Sequence, residues 1–219
     1  MEATSILRTT FRELLTSFRC EPARADELWH DLLAQYSAPK RHYHNIRHLE
    51  SLYHHLLEVK DHIEDWDAIL FSMFYHDYVY DVLKSDNEER SAEHAASVMD
   101  SLGVPLAVIS RCRQQILSTK RHESSTDIDT NLFTDTDLSI LGASLDEYSS
   151  YTKNIRMEYD IYSDATFYLG RKSVLLHVLG MGHIFKTDPF QHRFESQARA
   201  NIRDELRSID DFLAKQRTE

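Results

Sequence analysis

The residues in this chain best suited to chemistry are histidines and aspartates that fall at spacings a metal site can use. His76 and Asp77 stand side by side in the stretch FYHDYVYD, Phe74 to Asp81. A neutral imidazole nitrogen beside a hard anionic oxygen suits a divalent metal, although two ligands alone do not hold one and a capped helix end would also explain the pair. Upstream, His44 and His48 are four residues apart, which places them on one face of a helix that begins nearby. Two imidazoles so spaced converge on one metal, or one ligates while the other handles a proton; a merely polar helix start is the plainer account. Downstream, NLFTDTDLSILG sets Asp135 and Asp137 among the apolar residues Leu132, Phe133, Leu138, Ile140 and Leu141. Acids in such a segment are capping, exposed or paired with a cation. If Asp135 caps a helix, Asp137 falls in its first turn, and metal ligation by at least one of the two is expected.

Other side chains gain meaning from that set. Lys120, Arg121 and His122 form the tightest cationic run in an acidic chain. The run suits a helix C-terminus, whose dipole favours cations, and equally a phosphate or a second metal. Glu88 has capping-box spacing from Ser85, and its other reading is a carboxylate that orients water. Arg171 and Lys172 follow Gly170 on a later helix. His54 and His55 read as flank residues, and His94 as exposed.

Helices must position these groups. Ile6, Leu7, Phe11, Leu14, Leu15 and Phe18 share one face, and Leu28, Trp29, Leu32, Leu33 and Tyr36 another, with a turn at Glu21-Pro22 between them. Leu49, Leu52, Tyr53, Leu56 and Leu57 make a third stripe. Trp66, Ile69, Leu70, Met73 and Phe74 make a buried helix that ends at the His-Asp pair. The next helix has a small face, Ala92, Ala95 and Ala96, and a stop at Gly103. Val104-Pro105 opens another, with Val108, Ile109, Cys112, Ile116 and Leu117 inward. The polar run Glu123 to Asn131 is the longest loop candidate. Further helices run through Leu145, Tyr148, Tyr151, Ile155, Tyr159 and Tyr162, through FYLGRKSVLLHVLG, and from Pro189 through Phe194, Ala198, Ile202, Leu206, Ile209 and Phe212. The tyrosine face reads as packing with wet hydroxyls.

Composition agrees with an all-α chain. Only 5 Gly and 4 Pro in 219 residues leave little punctuation for hairpins, and 42% hydrophobic residues suffice for one sizeable core. One domain is expected, with the metal-site core over about 40–142 and helices over 144–215 completing the bundle. A formal charge of -11 gives a nucleic-acid polymer or an anionic membrane no general electrostatic attraction. Cys20 and Cys112, without CxxC spacing, fit reduced thiols. The first twenty residues lack an apolar leader, and no window approaches ~18 apolar residues, so a soluble cytoplasmic location is expected.

In order along the chain, RHYHNIRH, FYHDYVYD, NEERSA, ILSTKRH, FTDTDLSILG, EYSSYTKNIRMEY and GRKSVLLHVL resemble the HD superfamily of metal-dependent phosphohydrolases. The likeness is closest to the bacterial branch of predicted metal-dependent HD superfamily phosphohydrolases and runs almost end to end. It implies an HD-domain-like helical bundle and one metal held by His48, His76, Asp77 and Asp137. His48 is preferred to His44 because YHNIRH is similar to the YHNxxH stretch of cyclic-nucleotide phosphodiesterases, in which the second His ligates and the first donates a proton to the leaving group. Asp137 is preferred to Asp135 because the HD ligand commonly is the second acid of an Asp-x-Asp run. Related enzymes also place a Glu near the attacking water, the role this gives Glu88.

The resemblance thus implies hydrolysis of a phosphate ester, a nucleotide among the candidate substrates, by a site of catalytic His44, Glu88 and Asp77. Lys120, Arg121, His122, Arg171 and Lys172 are candidate phosphate-binding residues, since no GxxxxGK loop is present. The mixed nitrogen and oxygen set fits Mn, Fe, Co, Ni or Zn better than Mg, with room for a second metal. Two other functions use the same residues. One is a di-iron oxygenase with His122 on the second iron, and the other is a non-catalytic sensor of nucleotide or metal. A second copy of the chain is admitted as a partner.

Overall fold

A computed structural model describes residues 2–216 of the chain, with side chains from residue 4. It is all-α: among the described residues there are ten α-helices, two short 3₁₀ turns and no strand. No helix among them is long and apolar enough to cross a membrane. The fold groups into two compact units, Met1–Asp137 and Leu138–Glu219.

The first unit holds α1 (Glu2–Ser17), α2 (Pro22–Tyr36), α3 (Ile46–Glu58), α4 (Trp66–Tyr75), α5 (Asn87–Ser101), α6 (Leu106–Ser118) and α7 (Ile128–Leu138), the last residue of which opens the second unit. Its hub is α4. The sequence WDAILFSMFY is apolar around most of its circumference, a pattern that demands burial on every side. Every residue from Ala68 to Tyr75 is buried, and α4 packs against α1, α3, α5 and α6. Phe11 of α1 meets Phe74 edge-on at 4.9 Å, a favourable aromatic geometry. Asp65 starts α4 by accepting the Ala68 amide at 3.0 Å. On α5, buried Ala92 and Ala95 allow close packing on α6. Gly103, at φ 69°, makes the left-handed stop that a side chain would resist. Cys112 is fully buried as a small hydrophobe, and burial pushes its thiol up to about 12.

Two expected boundaries move. The segment from 128 to 131, expected in a loop, opens α7, with Asp129 and Thr130 fully buried. Asp129 accepts the backbone amides of Glu64 and Asp65 at 2.8 Å each, which ties α7 to the start of α4. Helix α5 begins at Asn87 with Asp86 as its N-cap residue and no side-chain cap, so Ser85 and Glu88 form no capping box.

The second unit holds a 3₁₀ turn (Ser139–Gly142), α8 (Leu145–Glu158), α9 (Asp164–Leu179) and α10 (Asp188–Lys215). A true capping box, Ser144 with Glu147, starts α8. A Cβ on Gly142 would lie 2.6 Å from that of Phe194, so only glycine lets the turn pack on α10. Tyr159 and Tyr162, expected on α8, lie past its end. Arg156 donates to both of their carbonyls, at 2.9 and 3.0 Å, and Ser163 caps α9.

Candidate metal centre

Four elements of the first unit deliver the cluster. His48 stands in the first turn of α3, which Asn45 opens by accepting the Arg47 amide at 2.9 Å. His76 is the C-cap of α4 and Asp77 follows it. Asp137 comes from the last turn of α7, and His122 from the segment between α6 and α7. His122 adopts φ 52°, left-handed backbone that non-glycine residues seldom take, and its side chain reaches Asp137.

The donors face one another. His48 Nε2 lies 3.2 Å from His76 Nε2 and 3.3 Å from Asp137 Oδ1. Asp77 Oδ2 is 3.1 Å from His76 Nε2 and 3.8 Å from His48 Nε2, and Asp137 Oδ1 is 3.8 Å from His76 Nε2. His48, His76 and Asp137 can each offer one atom to a common ion. Donors bonded at about 2.1 Å to one ion sit roughly 3.0–3.4 Å apart when adjacent, a range met by the 3.1, 3.2 and 3.3 Å separations. The tautomer fits as well. His76 Nδ1–H donates to the Met73 carbonyl at 3.0 Å, an otherwise orphan acceptor at the helix end, which leaves Nε2 free as a ligand. His48 and His76 are buried, and with two carboxylates facing them they form a cluster that either ring protons or a cation can balance.

In the metal-free cluster the two rings titrate differently. Burial draws the His48 pKa down, toward the neutral ring a metal binds. Burial also opposes charge on His76, but the adjacent Asp77 overrides it and lifts the pKa to about 9. For Asp137, burial is outweighed by hydrogen bonds from His122 and His48, and its carboxyl is held well below the usual range. Burial likewise yields to His76 and His44 at Asp77, whose carboxyl is lowered too. Carboxylates at a helix C-terminus are disfavoured by the dipole, so Asp137 depends on its contacts with His122 and His48.

His44 lies in the bend before α3, not on it; its ring stands 5.7 Å from that of His48 and 4.4 Å from that of Tyr80. Asp137 sits in the last turn of α7, so Asp135 does not cap this helix; it lies two residues earlier and is fully buried. The proposed phosphate-binding residues are dispersed. Lys120 donates to the Ser85 carbonyl and to Glu89, each at 2.5 Å, with Glu88 3.8 Å off. Arg121 is open, its side chain 77% exposed beside Glu123. Arg171 and Lys172 belong to the second unit, where Arg171 pairs with Glu205 and Lys172 with Asp210. His94, expected exposed, is half-buried and stacked on Tyr78 at 3.9 Å.

Arg41 is the residue that sequence reasoning missed. It is 9% exposed, and its guanidinium donates to the carbonyls of Asp77 at 2.6 Å, Tyr78 at 2.9 Å and His44 at 3.1 Å. It lies over the rings of Tyr36 and Tyr80. One side chain therefore fixes the backbone that carries His44 and the backbone that carries Asp77. The sole sequence signal was a basic residue three positions before His44, in RHYHNIRH.

Compared with protein-family models, with curated proteins and with solved structures, the chain matches none.

Proposed function

We propose that the chain is a metal-dependent phosphohydrolase of the HD type, acting on a phosphate ester of a small molecule such as a nucleotide. The observation that carries this is the convergence of buried His48 and His76 with partly buried Asp137, with Asp77 against both imidazoles. A divalent ion of the Mn, Fe, Co, Ni or Zn class, held by these four residues, would supply an acidified water and charge neutralisation at the phosphoryl group. The protein's own groups do the rest. Asp77 and Asp137 stay ionised at neutral pH and fix the charge of the site. His44, beside His48 but outside the ligand set, is placed to give a proton to a leaving oxygen. Glu88 is the candidate for orienting water. Arg121 is the cation freest to meet phosphate oxygens, whereas Lys120 must first leave Glu89.

Metal analysis of wild-type and Asp77→Ala proteins, with phosphate release measured across nucleotides and phosphomonoesters, tests the proposal. Metal near one or two equivalents that is lost with Asp77, and release from a panel member, is the expected result. A His48→Ala protein with full metal content and activity would overturn it. One contact favours a second reading: His122 Nε2 meets Asp137 Oδ2 at 3.0 Å, where a carboxylate could bridge to a second ion. Oxygen-dependent turnover of the iron-loaded protein, without phosphate release, would select an oxygenase.

A further inference from the structure

The second unit contains a groove that the metal chemistry does not use. It lies between α8, α9 and α10 and encloses about 700 Å³, within the ~300–1,000 Å³ of small-molecule sites. Tyr148, Phe167, Tyr168 and Phe212 give it aromatic walls, and Met157 and Ile209 add apolar surface. Leu145 and Met157, 63% and 50% exposed, extend the apolar lining to the solvent edge of the groove.

Its ionic lining is nearly closed. Glu205 is satisfied by Arg171 and by the Tyr148 hydroxyl at 2.5 Å. Arg156 donates to Asp164 at 2.8 Å, and Asp204 pairs with Arg207. Lys153 remains. Among the described residues it is the one charged group lining the groove with no ion pair or hydrogen bond. An occupant must therefore bring apolar or aromatic surface for the walls and a single negative charge for the rim. A cation would meet Lys153 unfavourably, and a polyanion would find one partner only.

We propose that this groove binds a small amphipathic monoanion, an aliphatic or aromatic carboxylate whose body lies along Tyr148, Phe167, Tyr168 and Phe212 and whose carboxylate meets Lys153. The proposal is independent of the hydrolase reading, since every residue in it belongs to the second unit.

Calorimetric titration of the full chain with decanoate, and with decylammonium as the opposite-charge probe, tests it. Saturable binding of decanoate near one equivalent, absent for decylammonium, is expected. Lys153→Glu should weaken it about tenfold, as for reversal of one solvent-exposed ion pair. Ser149→Trp, which fills the groove from its exposed rim, should abolish it, with unchanged thermal melting showing that the variant is folded. Equal decanoate affinity in wild type and both variants would put the binding elsewhere and overturn the proposal. So would no binding at millimolar decanoate, or tighter binding of decylammonium.

Discussion

Each unit of this chain buries ionisable groups, and the two clusters are built on opposite principles. In the second unit, Arg171 donates from Nε and Nη2 to the two oxygens of Glu205 at 2.8 and 3.1 Å, and from Nη1 to the Tyr151 hydroxyl at 3.1 Å. Tyr148 supplies the carboxylate with a further donor. Donors and acceptors alternate, and the charges cancel. In the first unit, two imidazole nitrogens stand 3.2 Å apart and face two carboxylates, and which of these atoms donates depends on the protons the rings carry. A buried ion pair is complete in itself; this cluster is completed by ring protons or by a cation. Similar residue types and similar burial thus separate a structural bridge from a candidate metal site by what balances their charge.

Substitution should split the two clusters cleanly. Asp137→Ala is expected to lower metal affinity by more than the roughly 10–100-fold typical of losing an outer-shell partner, because it removes a direct ligand. Metal content after dialysis measures this, and retention of full metal would erase the contrast. Glu205→Ala should do the reverse. It strands Arg171, whose side chain is 9% exposed, and should cost about 3–5 kcal/mol in denaturant unfolding while metal content stays at the wild-type level. Arg41→Met falls between. It frees three backbone carbonyls at the site, should cost about 1–3 kcal/mol, and should lower metal affinity as well.

How much of this was legible in the sequence depends on whether the interaction is local. The helical stripes were, because period 3.6 is written in neighbouring residues: the faces of Phe11, Leu32, Leu52, Phe74 and Ile202 are all buried. The Gly103 stop was legible for the same reason. His48, His76, Asp77 and Asp137 were singled out by residue type and by resemblance, and the fold brings their side chains together. The start of α7 was not legible, since Asp129 looks like loop polarity until the amides of Glu64 and Asp65, over sixty residues away, donate to its buried carboxylate. Arg41 was hidden likewise, because its acceptors at Asp77 and Tyr78 lie 36 and 37 residues on. The charge pairs that remove Lys120, Arg171 and Lys172 from the pool of free cations are also long-range. His94 was misjudged because its stacking partner, Tyr78, sits on another segment.

The smallest effect is carried by pH, and it bears on the same contrast. In the metal-free protein the His76 pKa is raised to about 9, above the ordinary imidazole value near 6.5. A raised folded pKa means that the proton stabilises the fold. That contribution is fully present below about pH 6.5 and is lost as pH climbs through 9. The melting temperature of chelator-treated protein should therefore fall over this window. With metal bound, the ion replaces the proton between the donors, so the fall should disappear, and metal affinity should rise as His76 gives up its proton. The Arg171–Glu205 pair contributes nothing to that window, since its guanidinium pKa is raised further above an already high value. Glu205→Ala should thus shift the whole melting curve down without changing its slope against pH, whereas Asp77→Asn, which removes the charge that lifts His76, should flatten it. A metal-free protein whose melting temperature is level from pH 6.5 to 9 would mean that the two imidazoles share their space without a proton, and that the cluster is not held together by charge.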